Sequence, residues 1–157
     1  MPTLEVPGAV IHHQLEGTGP LLLIAQSGEG DADRTVDLAA HLKDAYTVLT
    51  YDRRGLSRSR LEHPATIADH ADDVHQLLAH LTDEPVAMLG CSLGAVIGLH
   101  VAAANDVPAD LTTVTARIVA AAGTTTPRTV FDYQCAESLA KLPTRNYSSS
   151  RAATTAI

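Results

Sequence analysis

The stretch that decides the fold is Leu89–Gly98, LGCSLGAVIG, in which Gly90, Ser92 and Gly94 match the pattern G-x-S-x-G. Val86–Leu89 has the aliphatic composition of a buried strand, and the residues after Ser92 are apolar over the length of a helix. The pattern predicts a strand, a sharp turn at Ser92 and a helix. Glycine suits both flanks of such a strained turn, because a Cβ at Gly90 or Gly94 would crowd the strand or the helix.

A serine at a strand-to-helix turn is a candidate nucleophile. The helix N-terminus supplies unpaired N–H groups and the positive end of the helix dipole, which stabilise a developing oxyanion. The stretch has two other interpretations. Ser92 could simply cap a buried helix, or the glycines could form a dinucleotide-binding loop. The second is disfavoured because G-x-G-x-x-G requires glycine where Ser92 stands.

Short apolar runs alternate with amphipathic segments along the chain. Thr66, with Asp69 three residues later, predicts the start of a helix whose apolar face runs from Ile67 to Leu81. Asp31 and Asp33 precede a second helical pattern, and the helix after Ser92 is apolar nearly all round, which predicts burial. This order predicts an α/β fold, a mostly parallel sheet with helices on both faces. Its strands are predicted at Val10–Leu15, Leu21–Ala25, Tyr46–Tyr51, Val86–Leu89 and Arg117–Ala122.

Composition limits the classes of function. The 157 residues are 45% hydrophobic and 18% charged, which fits one globular domain, and the net charge of −7 disfavours nucleic acid or an anionic membrane as partner. No apolar run reaches the length of a bilayer span, and the N-terminus lacks a secretory signal, so a cytoplasmic location is expected. Residues 1–142 are predicted to be the folded domain, and residues 143–157 a loose tail without hydrophobic period.

Two more segments carry a family resemblance. Tyr51–Ser59, YDRRGLSRS, looks like Y-D-x-R-G-x-G-x-S, and Gln26–Gly30, QSGEG, directly follows a predicted strand, where an H-G-x-G loop would stand. Together with the G-x-S-x-G stretch they make Leu4–Ala104 resemble the α/β-hydrolase family. The resemblance implies an α/β-hydrolase-like fold and a serine hydrolase acting by esterase-like acyl transfer on a small molecule, without cofactor or metal.

The resemblance also assigns roles to residues. It implies Ser92 as the nucleophile, the backbone N–H of Leu93 as one oxyanion donor, and the backbone N–H of Gly28 or of a neighbouring residue as the second. Gln26 stands where the family usually has histidine. Asp132 is the candidate acid of the triad, with Glu137 also close to the expected place, although Asp132 is equally suited to starting a helix.

Two neighbouring features have structural interpretations. The arginines of the Tyr51 loop are predicted to brace that loop, with Asp52 as partner. Cys91 precedes the nucleophile position and is predicted to be inert packing rather than a rival nucleophile. Cys91 and Cys135 lack metal-ligand spacing, as do His70 and His75, which are five residues apart.

The chain departs from the family in its catalytic base. The resemblance implies the order serine, acid, histidine, but the one histidine after Ser92 is His100, eight residues along the same helix and about 12 Å away by helical rise. The other seven histidines precede Ser92 and are interpreted as packed or solvated. The catalytic histidine is therefore predicted to be absent.

Two events would explain the departure. The 11 residues of 105–115 are too few for the strand and cap that usually follow the elbow helix, which indicates an internal deletion. One choice of codons for Ser148–Ile157, read from its third base, encodes EFPGGHNGY, which resembles the family's final histidine loop. We interpret this as a frameshift near Leu142 or Pro143, and the encoding DNA sequence tests it directly.

The sequence thus predicts a serine hydrolase impaired in this chain. A non-catalytic ligand-binding or interaction domain on the same fold is the alternative. Substrate identity and oligomeric state are not readable from the residues.

Overall fold

The computed structural model describes residues 2–103. Within that range strands and helices alternate after an N-terminal hairpin, which confirms the predicted α/β class. The strands are β1 (Thr3–Val6), β2 (Ala9–Glu16), β3 (Leu21–Ala25), β4 (Thr47–Tyr51), β5 (Arg60–Leu61) and β6 (Ala87–Gly90). The helices are α1 (Val36–Leu42), preceded by a 3-10 turn (Ala32–Thr35), α2 (Ile67–Leu81) and α3 (Leu93–Ala102).

The described strands form one mixed sheet in the order β1-β2-β4-β3-β6, with β5 beside β2. β3 pairs in parallel with β4 and with β6, as the strand-helix-strand order predicts, whereas β2 pairs antiparallel with β1, β4 and β5. Parallel pairing puts the carboxyl ends of β3 and β6 at the same edge. Ala25 lies opposite Gly90 in this register, so the loop after β3 and the turn after β6 are neighbours.

Helices cover both faces of the sheet. Leu23 and Leu49 point to one face, where they pack with Val74 of α2 and Ile97 of α3 in the main core. The alternate residues of the same strands, including Ile24 and Val48, pack with Ala39 of α1 on the other face. This alternation follows from the two-residue period of a strand.

The start of α2 is built as predicted. The Thr66 side chain accepts a hydrogen bond from the Asp69 N–H, and the Asp69 carboxylate accepts one from the Thr66 N–H at 2.7 Å. This reciprocal capping box satisfies two of the N–H groups that a helix start leaves unpaired.

The prediction that α3 is buried holds for one of its faces only. Gly94, Ile97 and His100 form its buried face, whereas Val96 is 43% exposed. Among residues 2–103, β6 pairs with β3 alone, and its Leu89 is 45% exposed. The apolar composition of the helix therefore overstates its burial.

Two short strands were not predicted. β1 is four residues long between Pro2 and Pro7, and β5 is two residues long; both depend on β2 for their pairing. The predicted strand at Arg117–Ala122, the domain limit at residue 142 and the tail at 143–157 lie outside the described residues and stay predictions.

Candidate active site

Ser92 stands at the turn between β6 and α3. Its backbone has φ 51° and ψ −118°, and its side chain makes no capping hydrogen bond. Positive φ is uncommon for a residue with a Cβ and costs on the order of 1–3 kcal/mol, so the surroundings must hold it. The residue is exposed at the carboxyl edge of the sheet. The strand, sharp turn and helix predicted around Ser92 are all present.

Hydrogen bonds hold the turn from both sides. The Cys91 N–H donates to the carbonyl of Ala25 at 3.1 Å, which ties the turn to the end of β3. The Ala95 N–H donates to the Ser92 carbonyl at 2.9 Å and begins α3. The strained backbone is thus fixed between a strand and a helix.

Gly90 and Gly94 stand where a side chain would clash with backbone atoms. A Cβ on Gly94 would overlap the carbonyl of Ala25 and lie 2.6 Å from the carbonyl oxygen of Gln26. A Cβ on Gly90 would lie 2.7 Å from the backbone nitrogen of Ala95. Glycine at these positions lets α3 start directly against the strands.

Leu93 and Gly28, the two candidate oxyanion donors, lie close to each other. Leu93 is the first residue of α3, and the first N–H of a helix has no acceptor within that helix. A Cβ built on Gly28 would lie 3.9 Å from Cδ2 of Leu93, so the loop after β3 adjoins the turn. The loop after β3 and the turn at Ser92 are therefore neighbours, and an oxyanion hole is built from N–H groups of neighbouring segments.

Gln26 replaces the expected histidine at the start of this loop. It is buried, and its Nε2 donates to Oγ1 of Thr35 at 3.0 Å. Its Oε1 is buried without a hydrogen-bond partner among the described residues. Gln26 therefore ties the loop to the 3-10 turn before α1.

The three arginines of the Tyr51 loop have three different partners. Arg58 pairs with Asp52 at 2.7 Å, as predicted, but Arg54 pairs with Asp73 of α2, with Nε 2.7 Å from Oδ2. Arg53 donates to backbone carbonyls after β3 instead. The prediction that Asp52 is the common partner holds for Arg58 only. Asp73 lies on the buried face of a predicted helix, and a buried carboxylate needs a counter-charge. This was the sequence signal that pointed to a cationic partner for it.

Asp52 organises the Tyr51 loop. It is fully buried and accepts hydrogen bonds from the Ala32 N–H at 2.9 Å and the Arg58 N–H at 3.1 Å. Burial alone would raise the pKa of this carboxyl, but the bonds from Arg58 and Ala32 hold it below its ordinary value. Ser59 donates to the Asp52 carbonyl and accepts from the His12 N–H, which joins the loop to β2.

The described histidines lie away from the Ser92 hydroxyl. His100 is buried on α3, and among residues 2–103 no histidine forms a hydrogen bond with the Ser92 side chain. His12 and His13 are buried on β2, where burial lowers the pKa of both imidazoles. His70 of α2 also has a pKa lowered by burial. These histidines behave as packed side chains.

The surroundings of Cys91 differ from those predicted. The Cys91 side chain is exposed, so it is not the packed residue that was expected. Alternation along β6, with Leu89 also exposed, explains why Cys91 faces outward. Asp132 and Glu137 lie outside the described residues.

The described part of the chain contains neither a membrane-spanning helix nor a cluster of metal-ligating side chains. No helix in residues 2–103 is long and apolar enough to cross a membrane. The same residues contain no group of three or more His, Cys, Asp or Glu side chains placed to hold a metal ion.

Known proteins resemble this chain over its N-terminal part. A family model described as the alpha/beta hydrolase fold matches residues 10–133. Uncharacterized hydrolase YraK of Bacillus subtilis is 51% identical over 100 residues, which are 62% of this chain and 37% of that protein. A crystal structure of a hydrolase from Pseudomonas aeruginosa has a TM-score of 0.61 and 30% identity, and the match covers 64% of this chain and 40% of that one.

A second solved structure, E-2-(acetamidomethylene)succinate hydrolase, has a TM-score of 0.61 and 26% identity over 66% of this chain and 39% of that one. The chain therefore spans about two fifths of the length of these relatives. The family model covers most of its residues, including β6, the turn at Ser92 and α3. The chain belongs to the α/β-hydrolase fold family.

Proposed function

We propose that this chain carries the nucleophile and oxyanion parts of a serine hydrolase that acts by acyl transfer on a small ester-like molecule. The observation that carries the proposal is the backbone of Ser92. Its φ is 51° on an exposed turn, and backbone hydrogen bonds and close packing hold this conformation. The serine side chain makes no hydrogen bond that would cap α3. Strain at an exposed serine that also stands at the start of a helix, beside N–H groups without helical acceptors, favours a role in chemistry over a role in capping.

The proposed reaction begins with attack of Ser92 Oγ on the acyl carbon of the substrate. The hydroxyl proton passes to a base, and the acyl oxygen takes negative charge beside the N–H groups of Leu93 and Gly28. Collapse of the tetrahedral intermediate breaks the bond to the alcohol oxygen, which takes the proton back from the base, and leaves an acyl-serine that water then hydrolyses. Asp132 is the proposed acid of the triad, the residue type that orients the base.

We further propose that the chain works slowly because no histidine serves as that base. Loss of a triad member leaves only the contribution of the oxyanion hole and substrate binding, about 10³–10⁴-fold over water in a well-studied protease. A small molecule as substrate is supported by the structural relative named for E-2-(acetamidomethylene)succinate.

A fluorophosphonate probe tests the nucleophile. We expect the full chain to be labelled at Ser92, with slow kinetics, and the Ser92→Ala variant to be unlabelled. Ser57→Ala is a matched control, since Ser57 is the other described non-glycine residue with positive φ, at 47°, and is also exposed. It should label at the rate of the unmodified chain.

Two results would contradict the proposal. The first is labelling that persists in Ser92→Ala, which would place the reactive group elsewhere. The second is no labelling of a folded chain at millimolar probe over hours. That outcome would favour the non-catalytic binding domain instead.

A further inference from the structure

Arg53 is a buried cation that has no carboxylate partner among the described residues. Its side chain is 5% exposed, yet the ion pairs of this loop belong to its neighbours Arg54 and Arg58. Its guanidinium donates instead to the carbonyl of Gly28, and to the carbonyl of Ser27 at 3.4 Å. Both carbonyls belong to the loop that follows β3.

This arrangement is costly for the fold. Transfer of a charge from water into the protein is unfavourable unless the charge is paired, and burial lowers the pKa of the Arg53 guanidinium. Its Nε is also buried without an acceptor among the described residues. A neutral side chain would hold the two carbonyls at lower cost, so stability alone does not explain an arginine here.

Peptide geometry connects Arg53 to the N–H groups of the loop. In a trans peptide the C=O and the next residue's N–H point in opposite directions. The Ser27 carbonyl shares a peptide unit with the Gly28 N–H, and the Gly28 carbonyl shares one with the Glu29 N–H. Arg53, together with the Gly30 N–H that also donates to the Ser27 carbonyl at 3.0 Å, holds these two oxygens and therefore directs the two N–H groups to the opposite side.

The charge adds to this effect. Hydrogen bonds in a chain polarise one another, so a cation bonded to a peptide oxygen makes the N–H of the same peptide a stronger donor. The loop adjoins Leu93, since a Cβ on Gly28 would lie 3.9 Å from Cδ2 of that residue. No carboxylate of the described residues lies beside the guanidinium to cancel its charge.

We propose that Arg53 is a positioning residue for the oxyanion hole: it holds the carbonyls of Ser27 and Gly28, and thereby aims and polarises the N–H groups of Gly28 and Glu29. The inference rests on the proposed function, because it assumes that the loop after β3 supplies an oxyanion donor. Arg53 touches no reacting atom in this role.

The test compares Arg53→Met and Arg53→Lys with Arg60→Met, an exposed arginine of β5 outside the loop. The first readout is the second-order rate constant of fluorophosphonate labelling. Loss of one oxyanion donor costs about 100- to 1,000-fold in rate, so loss of a group that positions one should cost about 10- to 100-fold. Arg53→Lys keeps the charge and should lose less, about 3- to 10-fold, while Arg60→Met stays within about twofold.

The second readout is the amide ¹H–¹⁵N resonances of Gly28 and Glu29 in the full chain. Arg53→Met should shift both upfield and speed their hydrogen exchange, because their peptide units lose a cationic donor. Resonances that stay in place, or labelling within about twofold of the unmodified chain, would overturn the inference. If Arg53→Met does not fold, Arg53→Lys with unchanged melting temperature carries the test, and an unchanged labelling rate refutes the role.

The two readouts separate this inference from the proposed function. A chain that is never labelled at Ser92 removes the proposed function. The amide resonances still report whether Arg53 holds the loop.

Discussion

Gly94→Ala is the change that bears most directly on the geometry of Ser92. Gly94 lies on the buried face of α3, two residues after the serine, where the helix meets the end of β3. The added methyl group would overlap the Ala25 carbonyl and lie 2.6 Å from the Gln26 carbonyl oxygen. All of the opposing atoms are backbone, so no side chain can turn away to make room.

The size of the effect follows from these distances. Even the 2.6 Å contact is about 0.7 Å shorter than an ordinary C···O contact of ~3.3 Å, and the Ala25 carbonyl is nearer still, so α3 must move away from β3 by about 0.7 Å or more. Overpacking of this kind costs about 1–3 kcal/mol of unfolding free energy. A displacement near 1 Å at a reactive group costs about 100-fold in rate.

Gly98→Ala provides the matched control on the same helix. A Cβ there would meet only the end of the Met88 side chain, with Cε at 3.2 Å, and that flexible thioether can shift. Alanine is also a better helix former than glycine by about 1 kcal/mol. We therefore expect Gly98→Ala to be neutral or stabilising in urea denaturation, and to label at the rate of the unmodified chain.

The decisive result is a Gly94→Ala variant as stable as Gly98→Ala and labelled equally fast. Such a variant would mean that α3 can separate from β3 without cost. The argument that close packing of α3 on β3 determines the geometry of Ser92 would then be refuted.

Three other predictions follow from described contacts. Asp73→Ala leaves the buried Arg54 without its carboxylate and should lower the unfolding free energy by about 3–5 kcal/mol in urea denaturation; a loss below 1 kcal/mol would contradict the pairing. The fold lowers the pKa of the Asp52 carboxyl. The ionised carboxylate therefore stabilises the fold above the unfolded pKa of ~4, and this stabilisation is lost as the pH falls through the folded pKa. Melting temperatures recorded from pH 6 to pH 3 should therefore drop less in Asp52→Asn than in the unmodified chain, and parallel curves would exclude this role. Imidazole added at up to about 100 mM should accelerate labelling of Ser92 if a base is missing, and a rate independent of imidazole would indicate that a base is already in place.

Local signals explain what could be predicted from the residues. The capping box of Thr66 and Asp69 involves positions three apart, and β3 is a run of five apolar residues between breakers. The turn at Ser92 needs only its two glycines, a strand and a helix. Each of these features is determined within about ten residues, so its pattern is visible in the printed sequence.

The features that the sequence did not predict depend on contacts between residues that are far apart in the chain. Arg53 and Arg54 are adjacent, yet one reaches back 25 residues to Gly28 and the other forward 19 residues to Asp73. β5 is two residues long and exists because β2 offers it a partner. Only the folded sheet selects such partners, and no local pattern distinguishes one arginine from the next.

The bond from the Cys91 N–H to the Ala25 carbonyl has a consequence for how such a chain can change over time. The described contacts that shape the Ser92 backbone come from its own turn or from the end of β3, all within residues 25–96. Within residues 2–103, the geometry of the serine therefore depends on this short stretch and not on the strands at the other edge of the sheet. We expect substitutions in β1 or β5 to accumulate during evolution while the turn that carries Ser92 is kept.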